Sequence, residues 1–371
     1  MKKALLTATV QSHIAQFHRP LIKVLNEEEY EIHVAARDNL AEKNGLEIKN
    51  IDRKYDVPFE RSPLKPNNIK AFFELRKIIK EGQYDIISCN TPMGGIVTRL
   101  AAVGTKKKGA KLYYTAHGFH CYKGAPVKNW LVFYPIEKMM AHLTDVLITI
   151  SKEDYKLASK KFKTEVKHLY GVGADENKYL SVTEEENTAF REEMGYDKRK
   201  VILCTGELNG NKNQTTLIRA VKLIVKKHPD VLLLLAGNGP KEEDLREEIK
   251  SLGLEEHVVL LGYHTDLEKY TNACDIVASV SFREGMPLNI MEAMICGKPV
   301  VASYNRGHRE LIKHGKNGYL AQPDNIGDIC DKLLDLIEDQ ELCDRFSKDA
   351  KKRIQPYLMR SVEKNLKKIY L

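Results

Sequence analysis

Short apolar runs rich in Val, Ile and Leu recur along this chain, separated by longer segments whose apolar residues return every three to four positions. In the first half the runs are Ala4–Val10, Glu31–Ala36, Tyr84–Cys89, Lys111–Ala116, Asp145–Ile150 and Glu165–Tyr170. In the second half they are Lys200–Thr205, Val231–Ala236, His257–Leu261, Asp275–Val280, Pro299–Ser303 and Gly318–Ala321. Runs such as Val-Leu-Leu-Leu-Leu-Ala at 231–236 lack polar alternation, which is the pattern of strands buried on both faces. Helical periodicity fills the gaps at Ile69–Lys80, Thr215–Lys227, Glu242–Ser251 and Ile326–Glu338. Such alternation predicts parallel sheets with helices on both sides, a doubly wound α/β architecture.

The series of runs is interrupted once, near Tyr170-Gly171-Val172-Gly173-Ala174-Asp175, and an acidic helix-prone stretch, Thr183 to Met194, precedes the second set. A length of 371 residues is too great for one ordinary core. Two domains are therefore expected, 1–172 and 173–355. The segment 356–371, helical from about Arg360 to Tyr370, comes too late for the second sheet and is expected to cross the domain junction.

Composition narrows the class. Hydrophobic residues at 43% and charged residues at 30% are the balance of a globular protein, and no run approaches the roughly 20 apolar residues of a membrane-spanning helix. Met1-Lys2-Lys3-Ala4-Leu5-Leu6 looks like the start of a signal peptide, but Gln11, Ser12 and His13 end the apolar run, so a first strand is expected. Seven cysteines without a CxxC pair suit reduced, buried thiols and a cytoplasmic location. Residues 1–180 hold 30 Lys/Arg against 20 Asp/Glu, whereas the remainder holds 29 against 31, so the whole excess of +8 lies in the first half. A polarised basic surface of this kind attracts anionic partners, phospholipid headgroups among them.

In open α/β sheets, ligands sit beyond the carboxyl ends of the strands, so the strand-to-helix loops carry the candidates. The strongest is Ser281-Phe282-Arg283-Glu284-Gly285-Met286-Pro287-Leu288-Asn289-Ile290-Met291-Glu292-Ala293-Met294, which follows the run Asp275–Val280 directly. Gly285 permits a close backbone approach, and Pro287 suits a first helical position. The amides of Met286, Leu288 and Asn289 would then be free at a helix N-terminus, where a phosphate is favoured. Glu284 and Glu292 flank that point and could grip hydroxyl groups on either side of a diphosphate.

Glu284 through Glu292 within EGMPLNIMEAM, followed by CGKPVVAS, resembles the donor-site signature of retaining glycosyltransferases of family 4, which have the GT-B fold of two Rossmann-like domains facing across a cleft. The resemblance runs along nearly the whole chain. HIAQFHRPL and TAHGFHCYKGAPVKNW in the first half resemble enzymes of bacterial capsular and exopolysaccharide assembly. It implies that Glu284 contacts the transferred sugar, that Glu292 bonds the nucleotide ribose, and that Lys212, in Gly206-Glu207-Leu208-Asn209-Gly210-Asn211-Lys212-Asn213, binds the diphosphate. Where the family carries Arg just after the glycine, this chain has Glu207; Arg283 and Arg306 are candidate substitutes. Gly237-Asn238-Gly239-Pro240 is implied to line the donor pocket, with Tyr263 near the base. His117 is implied to contact the sugar, in a front-face transfer assisted by the leaving phosphate. Gln11-Ser12-His13 stands where the family has a Gly-Gly loop. No DxD-like motif ends a strand, so no metal and no cofactor are expected beyond the UDP-sugar itself.

For the acceptor, Phe119, Tyr122, Lys123, Lys128 and Trp130 interleave basic and aromatic residues, with Lys106, Lys107, Lys108 and Lys111 just upstream. This suits a membrane interface and, with the lipid acceptor that the resemblance implies, predicts peripheral docking on the inner leaflet, where a polyprenyl-diphosphate-linked saccharide is presented; the alternative is that Trp130, Phe133 and Tyr134 form a helix's core face beside solvated lysines, and nucleic acid is not an expected partner. The expected reaction moves a hexose or N-acetylhexosamine to that acceptor. A nucleotide-sugar epimerase and a non-catalytic subunit of the same fold are the competing readings. A nicotinamide-dependent dehydrogenase is disfavoured, because no GxGxxG follows the first strand of either domain.

Overall fold

The computed structural model describes residues 1–42 and 46–371 and divides into two compact units, Met1–Gly173 with Met359–Leu371, and Ala174–Leu358. In the first unit seven strands, β1 (Lys3–Val10), β2 (Glu31–Arg37), β3 (Arg53–Asp56), β4 (Ile86–Asn90), β5 (Lys111–Ala116), β6 (Val146–Thr149) and β7 (Glu165–His168), form a sheet in the order β3-β2-β1-β4-β5-β6-β7. Every pairing is parallel. The second unit repeats the plan with β8 (Lys200–Thr205), β9 (Val231–Ala236), β10 (Val258–Gly262), β11 (Ile276–Ser279), β12 (Val300–Ser303) and β13 (Tyr319–Ala321), ordered β10-β9-β8-β11-β12-β13. These pairings are parallel too.

The apolar runs become central strands because helices cover both faces. Along β1 the neighbours Leu5 and Leu6 enter opposite apolar layers: Leu5 packs with Phe59, Leu75 and Leu112, and Leu6 with Ile14, Leu25 and Ile148. One strand went unforeseen. β3, Arg-Lys-Tyr-Asp, is an edge strand with one half-buried and three exposed residues, so its sequence carries no apolar signal. It is held by backbone pairing to β2.

The last helix, Met359–Tyr370, belongs to the first unit. Val362, Leu366 and Tyr370 enter the same layer as Leu6. The Tyr370 ring stacks on Tyr113 at 4.2 Å, and its hydroxyl lies 2.8 Å from Ser88 Oγ. Lys23 pairs with Glu363 at 2.8 Å across the helix surface. Strand order reverses between β1 and β4 in one sheet and between β8 and β11 in the other, and it is at such reversals that doubly wound sheets open a crevice for ligands.

Candidate active site

At the reversal of the second sheet, the loop leaving β8 is shaped by its asparagines. Asn209 Oδ1 accepts from the amides of Asn211 and Lys212, both at 3.0 Å, the local turn that Asn side chains favour. Asn211 Nδ2 donates to the Arg283 carbonyl at 3.0 Å, and the Phe282 amide donates to the Asn211 carbonyl at 2.8 Å, which ties this loop to the one after β11. Together these bonds bring Lys212 Nζ to 2.8 Å from Glu284 Oε1, with side chains 23% and 15% exposed. Gly206 makes room for the lysine stem. Its φ is +143°, and a Cβ there would lie 3.0 Å from Lys212 Cε. Glu207 is exposed and accepts from Asn209 Nδ2 at 2.9 Å; its ion-pair competitor for Lys212 is Glu284, which holds the ammonium.

The other second-unit candidates cluster on the same carboxyl edge. Asn238 O accepts from the Leu208 amide at 3.0 Å, and Gly237 N donates to Gly262 O at 2.7 Å, so the ends of β8, β9 and β10 are stitched together. Gly239 packs against the Leu208 backbone, and Tyr263 is 55% exposed just past β10. Pro287 is the N-cap rather than the first helical residue (φ −76°, ψ 109°), and the helix runs Leu288–Cys296. The difference is one residue: Pro287 takes the extended conformation that an N-cap requires. The Gly285 and Met286 backbone leads into this helix, whose first-turn amides at Leu288 and Asn289 have no preceding helical carbonyl to bond. Asn289 turns its amide inward to Thr205 O at 3.2 Å.

Two supporting residues have no sequence signal that would have singled them out. Tyr179, buried on the short helix Glu176–Leu180, hydrogen-bonds the Glu292 side chain, whose carboxyl burial holds above the usual range. His308, fully buried at the start of the helix Arg306–Leu311, lies 2.8 Å from the Ser303 carbonyl through Nδ1 and 3.3 Å from Ser279 Oγ through Nε2. A carbonyl can only accept, so Nδ1 carries the proton and Nε2 takes the serine hydroxyl. Burial is the main cause of pushing His308 down to about 4 from 6.5; its bond to the Ser303 carbonyl and the Glu284 charge act the other way, and Lys212 in the same direction. A folded-state value below the unfolded one means that stability is complete above pH 6.5 and lost as pH falls toward about 4. Denaturant melts between those pH values should show a loss smaller by on the order of 3 kcal/mol in His308→Gln than in the wild type. Equal pH slopes for the two proteins would remove His308 as the cause.

In the first unit β1 passes straight into the helix Gln11–Phe17, without a loop. Gln11 and Ser12 are buried, and Ser12 N donates to Asn39 Oδ1 at 3.1 Å. His18 closes this helix and opens the next, Arg19–Glu27, with φ −116° and ψ 13°. Along a continuous helix residues 13 and 18 would point well apart; the break at His18 turns both toward His117, which follows β5. His13 Nε2 lies 3.2 Å from His117 Nε2, and the three rings are 4.5 to 5.4 Å apart. Burial, reinforced by the neighbouring imidazoles, lowers His13 and His18, and burial lowers His117 to about 4.

The segment expected at the acceptor side divides. Phe119 is 3% exposed and packs on Phe162 in the core, so it is not a surface residue. Its aromatic ring fills the space beneath the loop, while its amide donates to Asp154 Oδ2 at 3.2 Å. Trp130 is half-buried against the same core and donates Nε1–H to Tyr122 O at 3.2 Å. Lys123 and Lys128 are exposed. The open apolar surface comes from residues that were not singled out: Val127, Leu131, Val132 and Met139 of the helix Val127–Ala141 are 74%, 72%, 51% and 59% exposed. Among the described residues, no helix is long and apolar enough to cross a membrane.

Residues 185–353 match the family model of group 1 glycosyl transferases, and residues 3–151 match that of glycosyl transferase 4-like proteins. EpsD of Bacillus subtilis (strain 168), provisionally named a glycosyltransferase, is 36% identical over 354 residues, 95% of this chain and 91% of its own. The UDP-Gal:alpha-D-GlcNAc-diphosphoundecaprenol alpha-1,3-galactosyltransferase of Escherichia coli is 27% identical, covering 77% of this chain and 75% of its own. The crystal structure of HepE from Anabaena in complex with UDP and glucose superposes with a TM-score of 0.77 at 22% identity, covering 99% of both chains. That last likeness shows the fold: two parallel Rossmann-like sheets in one chain.

Proposed function

Because this chain belongs to the group 1, glycosyl transferase 4-like family and is a glycosyltransferase of GT-B fold, we propose that it transfers a hexose or N-acetylhexosamine from a UDP-sugar, with retention, to a polyprenyl-diphosphate-linked saccharide during polysaccharide synthesis. The observation that carries this reading is the Lys212–Glu284 pair, 2.8 Å apart beside the first turn of Leu288–Cys296. In the reaction the bond between the anomeric carbon and the β-phosphate oxygen breaks, a new bond forms to an acceptor hydroxyl, and that hydroxyl's proton passes to the leaving phosphate. Negative charge grows on the diphosphate as it leaves. Lys212 and the helix amides meet that charge at fixed positions, which is where an enzyme gains most. No metal is needed at the diphosphate on this reading. Glu284 accepts from a sugar hydroxyl, and Glu292, oriented by Tyr179, from the ribose. Gly206, Asn238, Gly239 and Tyr263 border the nucleotide, and His117 bonds a hydroxyl of the transferred sugar.

UDP as the nucleotide is supported by the UDP bound in HepE and the UDP-Gal used by the Escherichia coli relative. A lipid-linked acceptor is supported by that relative's diphosphoundecaprenol substrate. Docking on the cytoplasmic face of the membrane is supported by the exposed Val127, Leu131 and Val132 beside Lys123 and Lys128, and by the basic excess of residues 1–180. Apolar side chains insert at the headgroup boundary while lysines meet anionic lipid.

The test is to incubate the protein with UDP-hexoses and UDP-N-acetylhexosamines, and with anionic vesicles carrying a diphospholipid-linked saccharide. Product anomers are read by NMR and bound protein by flotation. Acceptor-dependent transfer with retained configuration and co-flotation at low salt are expected. Donor converted without acceptor, or an inverted product, would overturn the reaction; protein left at the bottom of the gradient would overturn the docking.

A further inference from the structure

We propose that His13, His18 and His117 form a three-imidazole binding site for a divalent transition metal ion, zinc being the best match. One ring nitrogen of each histidine lies within 4.8 Å of the others, and the His13 and His117 Nε2 atoms are already 3.2 Å apart. Around a tetrahedral zinc with Zn–N bonds of about 2.0–2.1 Å, neighbouring ligand atoms are about 3.3 Å apart. The His13–His117 spacing meets that value, and a His18 ring nitrogen lies within 4.8 Å of both, so the third side closes by an approach of at most about 1.5 Å. Three histidines and one open position are a common catalytic or exchangeable zinc set.

A second, independent feature points to a ligand. His18 is 6% exposed, and its Nε2 is a buried ring nitrogen with no hydrogen-bond partner. A buried polar atom left in that state costs about 1–3 kcal/mol, which coordination would remove. Soft thiolates are absent from the cluster, which favours an imidazole-binding ion such as Zn²⁺, Ni²⁺ or Cu²⁺ over a hard oxygen-seeking one. The chain builds the set from a H-x4-H pair, bent at His18, and one histidine at the end of β5.

This site stands on the geometry of the first unit alone, and it bears on the reaction through His117. A zinc ion on His117 Nε2 would occupy the ring nitrogen that meets His13 and add a charged, bulky group there, so micromolar zinc should inhibit transfer and a chelator should restore it.

The experiment titrates ZnCl₂ into the full chain, freed of metal and without sugar nucleotide, by calorimetry, and repeats it with CoCl₂ to read the visible spectrum. One equivalent should bind. The cobalt form should show tetrahedral d–d bands without the near-ultraviolet band of thiolate ligation. His18→Gln and His13→Gln should each weaken binding by about 100-fold or more, while their metal-free melting temperatures show that they are folded. No saturable binding to the wild type, unchanged affinity in both folded variants, or a thiolate spectrum would each overturn the site. Metal binding is read with no substrate present, so it can fail or succeed independently of glycosyl transfer.

Discussion

Lys212→Met should lower the rate of sugar transfer by about 100- to 1,000-fold, the effect of removing one fixed charge from a developing anion. The side chain is placed for this by its surroundings: Asn209 caps the turn that starts it, Gly206 leaves space for its stem, and Glu284 holds its ammonium at 2.8 Å. The pair is partly solvated, at 23% and 15% exposure, so its loss should cost stability only about 1 kcal/mol. That corresponds to a melting-temperature drop of about 2–4 °C. Lys212→Arg keeps the charge but changes a compact ammonium into a planar fork, and should recover part of the rate. Steady-state transfer and thermal melts of the three proteins decide the matter. A loss under about threefold, less than 1 kcal/mol of barrier, would mean that the diphosphate charge is met elsewhere.

Gly237→Ala should cost the second unit several kcal/mol, seen as a melting temperature lower by about 10 °C. Gly237 has a φ of +146°, which side-chain-bearing residues rarely adopt, and an added methyl would run into the Gly206 carbonyl oxygen. That oxygen belongs to backbone stitched between β8 and β9, since Gly206 N bonds Ala236 O at 2.9 Å and Gly237 N bonds Gly262 O at 2.7 Å. Nothing there can swing aside. Gly195→Ala is the comparison, because Gly195 also has positive φ, at +68°, but has no atom within 4 Å of an added Cβ. It should show only backbone strain, about 1–2 kcal/mol. Similar melting temperatures for the two variants would show that the close approach of the two loops is not what the glycine protects. Donor-dependent thermal shifts should shrink in Gly237→Ala, because the displaced loop is the one that leads to Lys212.

Much of the fold was readable in advance. Strands buried on both faces declare themselves by unbroken Val, Ile and Leu, as in β9, and the helix Glu242–Ser251 begins and ends where its periodicity does. β3 was silent because an edge strand is held by backbone bonds that any sequence can make. Phe119 was misassigned to the surface for a related reason. An aromatic between basic residues looks the same in sequence whether its ring points to solvent or, as here, into the core on Phe162. Lys212 and Glu284 were each legible from their motifs, but their 2.8 Å contact joins loops 72 residues apart.

By itself, the order of residues determined the alternation of strands and helices, the parallel sheets, the turn-forming asparagines and glycines, and the family to which the motifs belong. All of these rest on local periodicity or on backbone geometry near a single residue. Only the tertiary structure decided that Tyr179 holds Glu292, that His308 lies close enough to Lys212 and Glu284 to feel both charges, and that His13 and His18 meet His117 across 104 residues of chain in the first case. Those meetings depend on strand order and on one helix break, and side chains brought together by folding leave no shared pattern along the chain.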